Sequence, residues 1–299
     1  KKEMWYIEIY SGHQFVAMKY PSDKFSVFPN AFWLNEVKLT VGEESDNYIT
    51  SEDGNFIYSK GIFEVAKNAK TFDGNEEERT INLLNSYGEK EVSDSNRSRA
   101  CSGILCLNPN AKLTMESEVY EFLQSAPEKS ITVKNVMNFT RNRLENINIQ
   151  ANDLGRGNEY PIGNRNTMEA HVFQIPRDSE EQAPGIMWLT LGSPLVQPFV
   201  PYYPNQTDGI AQVKNETNEP DAANSHYWLA MDILHMVEVN RPEFMEVVKP
   251  LIDAAEDEMI AKSTSSAEVD PNSQNAEDAN NAFKLLTDIH SKLKEKYDE

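Results

Sequence analysis

The amino-acid sequence predicts an α+β protein built in layers. Strand-like alternation fills the first 28 residues, helical periodicity follows, and strand signals return at 167–191 before two long helical stretches close the chain. A doubly wound parallel sheet would alternate strand and helix one by one, and this order does not.

Residues 5–10 alternate Trp5, Ile7 and Ile9 with Tyr6, Glu8 and Tyr10, Ser11-Gly12 supplies a turn, and residues 15–18 resume an apolar run, so a β-hairpin is expected. A third strand, Lys24-Phe-Ser-Val-Phe28, follows the Pro21-Ser-Asp23 turn. Pro29-Asn30 ends it by removing a backbone donor and offering a side-chain amide. From 47 to about 88 the pattern turns helical, with one stripe of Ile57, Ile62, Phe63, Val65 and Ala66 and a second beginning at Ile81, Leu83 and Leu84. Between them, the acidic stretch 72–78 reads as a loop and helix start. Ser93-Asp-Ser-Asn-Arg97-Ser-Arg99 reads as a polar loop entering the apolar run 100–107.

Thr132 caps an expected helix through Glu145, with Val133, Val136, Met137 and Leu144 on one side, and residues 146–165 form a loop. Strands are expected at 167–175 and 185–191, joined by a hairpin loop. Pro194, Pro198, Pro201 and Pro204 make the next segment irregular, with Phe199, Val200, Tyr202 and Tyr203 pinned to the sheet. Two helices end the chain, 225–263 with an interruption at Pro242 and 275–296. Met231, Met236, Met245 and Met259 read as core filler.

The 299 residues can hold one large domain or two small ones. A formal charge of −20, from 28 Lys and Arg against 48 Asp and Glu, opposes polyphosphate binding and so argues against nucleic acid and anionic membrane as partners. Cys101 and Cys106 lie in the apolar run without metal-ligand spacing and read as buried small hydrophobes. No cofactor motif is present and no metal site is expected. The two cysteines favour a reducing cytoplasm, while Asn138-Phe-Thr, Asn205-Gln-Thr and Asn215-Glu-Thr and the acidity would also suit an exported protein.

Several residues are candidates for chemistry. Asn30 sits at a strand end, where a sheet holds a group rigidly and leaves one side open; it is either a turn asparagine or a catalytic amide. Arg97 and Arg99 meet a buried run, either as surface cations or with one guanidinium pointing into a site. Of the five histidines, His13 after Gly12 and His171 in an expected strand are carried forward.

Taken together, Trp5-Tyr-Ile-Glu-Ile-Tyr-Ser-Gly-His13, Val16-Ala17, Pro21-Ser-Asp23, Pro29-Asn30 and Asn96-Arg-Ser-Arg99 begin a set of anchors. Arg165-Asn-Thr-Met-Glu-Ala-His171-Val-Phe-Gln174, Met187-Trp188, Pro198-Phe-Val-Pro-Tyr-Tyr203 and Ser225-His-Tyr-Trp228 complete it. The set resembles the C69 dipeptidases, N-terminal-nucleophile hydrolases that include the secernins. The resemblance implies an αββα sandwich of two stacked antiparallel sheets covered by helices. It implies a cysteine nucleophile at a mature N-terminus, its base the adjacent α-amino group. Lys1-Lys-Glu-Met has no such cysteine, and the match falls on the part of the family after the nucleophile-bearing segment. The expectation is therefore a sandwich completed by a missing N-terminal segment, with residues 1–224 as its C-terminal part and 225–299 as helices packed on the same domain.

The resemblance also implies an asparagine donating to the oxyanion, for which Asn30 is the candidate. An arginine near the thiol would be Arg99, with Arg97 as alternative, and Arg97, His13 and His171 are candidates for substrate binding. The expected function is a dipeptidase acting on short peptides. Alternatives are an acylase of non-peptide amides, of the penicillin V acylase and bile salt hydrolase type, and a non-catalytic, secernin-like interaction protein. The expected partner is the N-terminal fragment bearing the cysteine, and a homo-oligomer stays open.

Overall fold

The computed structural model describes residues 3–88, 92–117, 121–127, 130–151, 159–175, 185–213, 219–263 and 270–297. They form an α+β structure with antiparallel sheets and seven α-helices among the described residues. Contacts divide the chain into two units, Lys1–Ser130 with Leu144–Tyr160, and Ile131–Arg143 with Pro161–Glu299. Among the described residues, no helix is long and apolar enough to cross a membrane.

In the first unit, β1 (Trp5–Tyr10) and β2 (Gln14–Lys19) pair antiparallel as the expected hairpin, Trp5 opposite Lys19 and Tyr10 opposite Gln14. Gly12 turns the chain at φ 71°, a conformation glycine adopts without steric cost. The alternation in β1 carries an inversion. Glu8 and Tyr10 are buried, whereas Ile7 and Ile9 are 56% and 73% exposed.

A third strand, β3 (Lys24–Phe25), is shorter than expected and pairs with β9 (Gln124–Ser125). It stops because Ser26 turns its hydroxyl onto the carbonyl of Phe122 and Pro29 brings no N–H to a ladder. β4 (Glu36–Lys38) pairs with β8 (Thr80–Asn82), which also pairs with β7 (Gly74–Asn75). β5 (Tyr48–Thr50) and β6 (Phe56–Ser59) extend the first sheet to the order β1-β2-β6-β5.

The helical reading of 47–88 is thus corrected. Only α1 (Ile62–Ala69) and α2 (Leu83–Tyr87) are helical there, and Ile57 and Ile81 are strand residues. Phe56-Ile57-Tyr58 is aromatic and β-branched, and pairing with β2 outweighs an apparent stripe whose first member is out of helical phase. The stretch expected as a loop and helix start holds β7 instead. The loop expected at 93–99 is also corrected, because α3 runs from Asp94 to Leu107 behind a Ser93 cap that accepts from the N–H of Asn96. Cys101 is buried as expected, but Cys106 is only half-buried.

In the second unit, α4 (Val133–Thr140) starts with Thr132 and Asn135 capping each other. It ends five residues short of expectation: Thr140 turns its hydroxyl onto the carbonyl of Met137, and Leu144 is left-handed at φ 70°. β10 (Glu169–Gln174) and β11 (Ile186–Leu191) pair as the expected hairpin, whose connecting loop lies outside the described residues. The proline-rich segment is less irregular than expected, since β12 (Val200–Tyr202) pairs with β11, Trp188 opposite Pro201. An edge strand tolerates proline because that side needs no donor.

The expected break near Pro242 falls between α5 (His226–Val239) and α6 (Arg241–Ser263). α7 (Pro271–Tyr297) begins earlier than expected, with Asp270 accepting from the Ser273 N–H and hydroxyl and Pro271 opening the helix. Leu286, Ile289 and Leu293 of α7 pack with Leu229, Ile233 and Leu234 of α5 in one apolar cluster. The four methionines lie in apolar clusters, Met259 fully buried and the others partly. A buried carboxylate ties the unit together: Glu256 takes both terminal nitrogens of Arg141, the N–H of Phe199 at 3.0 Å and the ammonium of Lys134 at 3.1 Å.

Candidate active site

Residues 29–34 of the first unit form a tight turn between β3 and β4. Its shape comes from the carbonyl of Pro29, which accepts from Ala31 N and from Trp33 Nε1, both at 2.7 Å. Asn30 stands exposed at the apex.

The first turn of α3 faces Asn30. Helical residues three apart share a face, so Asn96 and Arg99 point the same way, whereas residues two apart are about 200° around the axis. Arg97 therefore points elsewhere, donating to the carbonyls of Met115 and Ser117 at 3.4 and 3.2 Å. Arg99 donates from Nη1 to Asn30 Oδ1 at 3.1 Å, from Nη2 to Asn96 Oδ1 at 2.5 Å and from Nε to Ser95 O at 3.0 Å. Asn96 in turn donates from Nδ2 to the backbone carbonyl of Asn30 at 2.8 Å.

Half-burial lowers the pKa of Arg99, but a guanidinium stays charged regardless. The ring of Tyr160 lies 5.6 Å from its central carbon, where a cation is attracted to the π face.

Asn30 and Asn96 border a cavity of about 550 Å³, with Phe32, Leu84, Tyr87 and Val92 as its apolar wall. The geometry has one chemical consequence. An amide whose oxygen is taken by arginine presents its NH₂ group outward, ready to donate to a developing negative charge. Among the described residues, the cavity wall carries no cysteine, histidine or carboxylate, so it offers donors and apolar surface but no nucleophile with its base.

The structure brings Arg99 onto Asn30, which borders the cavity, and leaves the other three candidates apart from both. Arg97 faces the 115–117 segment, and His13 is exposed with φ 59° in the β1–β2 turn. His171 lies in the second unit, exposed, with Nδ1 3.0 Å from Glu169 Oε1. Sequence reasoning missed Asn96. The signal was present: with Ser93 read as a helix cap, Asn96 and Arg99 fall one turn apart on a single face. It also missed Glu8, a lone acid in an alternating strand whose carboxylate is buried against this turn.

Residues 1–254 match the family model described as peptidase family C69. The chain belongs to that family. Curated relatives agree: it is 34% identical over 258 residues to a probable dipeptidase B of Streptococcus pyogenes serotype M1, covering 82% of this chain and 49% of the relative. A probable dipeptidase B of Lactococcus lactis subsp. lactis is 26% identical over 254 residues, 83% of this chain and 51% of the relative. Dipeptidase A of Lactobacillus helveticus is 22% identical over 214 residues, 69% of this chain and 42% of the relative. The chain of this C69 family member spans about half the length of the curated relatives it matches.

Proposed function

We propose that this chain is the oxyanion-binding part of a dipeptidase that cleaves short peptides with an N-terminal cysteine carried on another polypeptide segment. The observation that carries the reading is the Asn30 amide, its oxygen held by Arg99 at the mouth of a half-apolar cavity, in a chain of the C69 family. Attack of a thiolate on a peptide carbonyl puts negative charge on the carbonyl oxygen. A preoriented amide donor stabilises that charge without having to reorganise at the moment of reaction. Amide cleavage then proceeds through a thioester, with the cysteine's own α-amino group moving the proton.

On this reading the cysteine-bearing segment docks on the first sheet and the two complete an αββα sandwich. Supporting it are the exposed Ile7 and Ile9 on β1, a strand at the sheet's edge, and the greater length of the relatives. Edge strands with apolar faces aggregate or find a complement.

The test is coexpression of this chain with the preceding cysteine-bearing segment. A stable complex that hydrolyses dipeptides and is inactivated by thiol alkylation is expected, with the chain alone insoluble or inactive. Hydrolysis of non-peptide amides but not dipeptides would indicate an acylase. A monodisperse, cooperatively folded chain with no complementing segment would favour an interaction protein.

A further inference from the structure

Glu8 is 4% exposed at the middle of β1, and a buried carboxylate is costly unless donors surround it. Its donors come from two places. The hydroxyls of Tyr6 and Tyr10 donate from its own strand, at 2.7 and 2.5 Å. The backbone N–H groups of Trp33 and Leu34 donate from the Asn30 turn to Oε1, at 2.6 and 3.2 Å. Among the described residues no cation pairs with it within 4.0 Å, and all four donors are neutral groups.

We propose that Glu8 is a positioning residue for Asn30: its carboxylate anchors the 29–34 turn to the sheet and thereby sets where the Asn30 amide stands. Glu8 does not line the cavity, and it acts through two arms that reach the cavity wall. One is the turn, whose Ala31 and Phe32 lie between Asn30 and the anchored N–H groups. The other is Tyr10, whose ring stacks on Tyr87 at 4.7 Å and meets Phe32 at 4.8 Å, both of them cavity wall. With Arg99 gripping the amide from α3, the turn is held from both ends, and such positioning is what a preorganised donor requires.

A purely core role would also explain burial, but it would not draw half of the donors from one short turn. The proposal rests on reading Asn30 as the oxyanion donor, and the experiment separates the two. In the folded protein, alone or in the coexpressed complex, Glu8→Gln is expected to speed amide hydrogen exchange at Trp33 and Leu34 by about tenfold or more, while protection in the β2–β6 pairing stays unchanged. Glu8→Asp keeps the charge but shortens the reach, and it carries the same test if Glu8→Gln does not fold. Unchanged exchange at both amides would overturn the proposal.

In the dipeptide-hydrolysing complex, Glu8→Gln is expected to lower kcat about tenfold with KM little changed, and to have no further effect in an Asn30→Ala background. Equal fractional losses in both backgrounds would overturn the proposal as well. If no turnover is found for the unmutated complex, the hydrolase reading fails, and the exchange measurement by itself decides the role of Glu8.

Discussion

Arg99 donates from Nη1 to the Oδ1 of Asn30 at 3.1 Å, joining a turn and a helix separated by 69 residues of chain. The bond gives the two residues different work. On the proposed reading Asn30 presents the amide donor and Arg99 orients it, while Arg99 also bridges Asn96 and the carbonyl of Ser95. Each prediction on activity refers to the proposed complex with a cysteine-bearing segment.

Asn30→Ala is expected to leave the fold intact and slow dipeptide hydrolysis by about 10²–10³-fold, the usual cost of one oxyanion donor. Asn30→Asp should be similarly slow, because a carboxylate keeps the bond to Arg99 but has no N–H to offer. Steady-state kinetics with far-UV dichroism decide it, and a folded variant of unchanged turnover would remove Asn30 from the site.

Arg99→Ala should lower kcat/KM by roughly tenfold to a hundredfold, the scale of a lost charge-assisted hydrogen bond. Arg99→Lys should not restore it, since an ammonium cannot hold Asn30, Asn96 and Ser95 in one planar fork. Arg97→Ala should instead lower thermal stability through the carbonyls of Met115 and Ser117 and spare turnover. A larger kinetic effect at Arg97 would contradict the helical phase of α3.

Cys101→Ser should retain activity and cost about 1–3 kcal/mol of stability, because a hydroxyl replaces a buried thiol in the apolar part of α3. Cys106→Ser, half-exposed, should cost less. Loss of turnover in a folded Cys101→Ser or Cys106→Ser complex would place the nucleophile in this chain after all.

His226 provides a pH signature. It is 7% exposed against the ring of Phe283, and burial pushes its pKa from the usual imidazole value of about 6.5 down to about 4. The folded state thus binds this proton less readily than the unfolded chain does. Its effect is absent above about pH 6.5, and stability falls as pH drops from there toward 4, by up to about 3 kcal/mol. Urea denaturation across this window should show the slope, and His226→Gln should flatten it. A slope unchanged by the substitution would assign the acid sensitivity to other groups.

Glu256→Ala should destabilise the second unit by about 3 kcal/mol, since it removes the counter-charge of the largely buried Arg141 guanidinium and leaves the N–H of Phe199 without its acceptor. Lys134→Met should cost much less, because the Lys134 ammonium is partly solvated and has Asp253 and Asp257 beside it. Comparable losses from the two would show that the Arg141 pair is not the dominant contact.

By itself, the sequence determined what depends on neighbours in the chain. The 5–19 and 169–191 hairpins, the Thr132 cap, the break near Pro242 and the amphipathic last helix all follow from alternation, turn residues and capping within a few positions. The family resemblance was legible as well, because its anchors recur in order along the chain. Tertiary structure alone decided the rest. Ile57 joined a strand because β2 offered it a partner 40 residues away, a gain that no local periodicity records. Glu8 turned inward and Ile7 outward because donors arriving from residues 33 and 34 outweighed the ordinary preference for burying isoleucine. The choice of Arg99 over Arg97 was set once residues 94–107 coiled as a helix, since a 100° step per residue separates two arginines that a loop would leave equivalent.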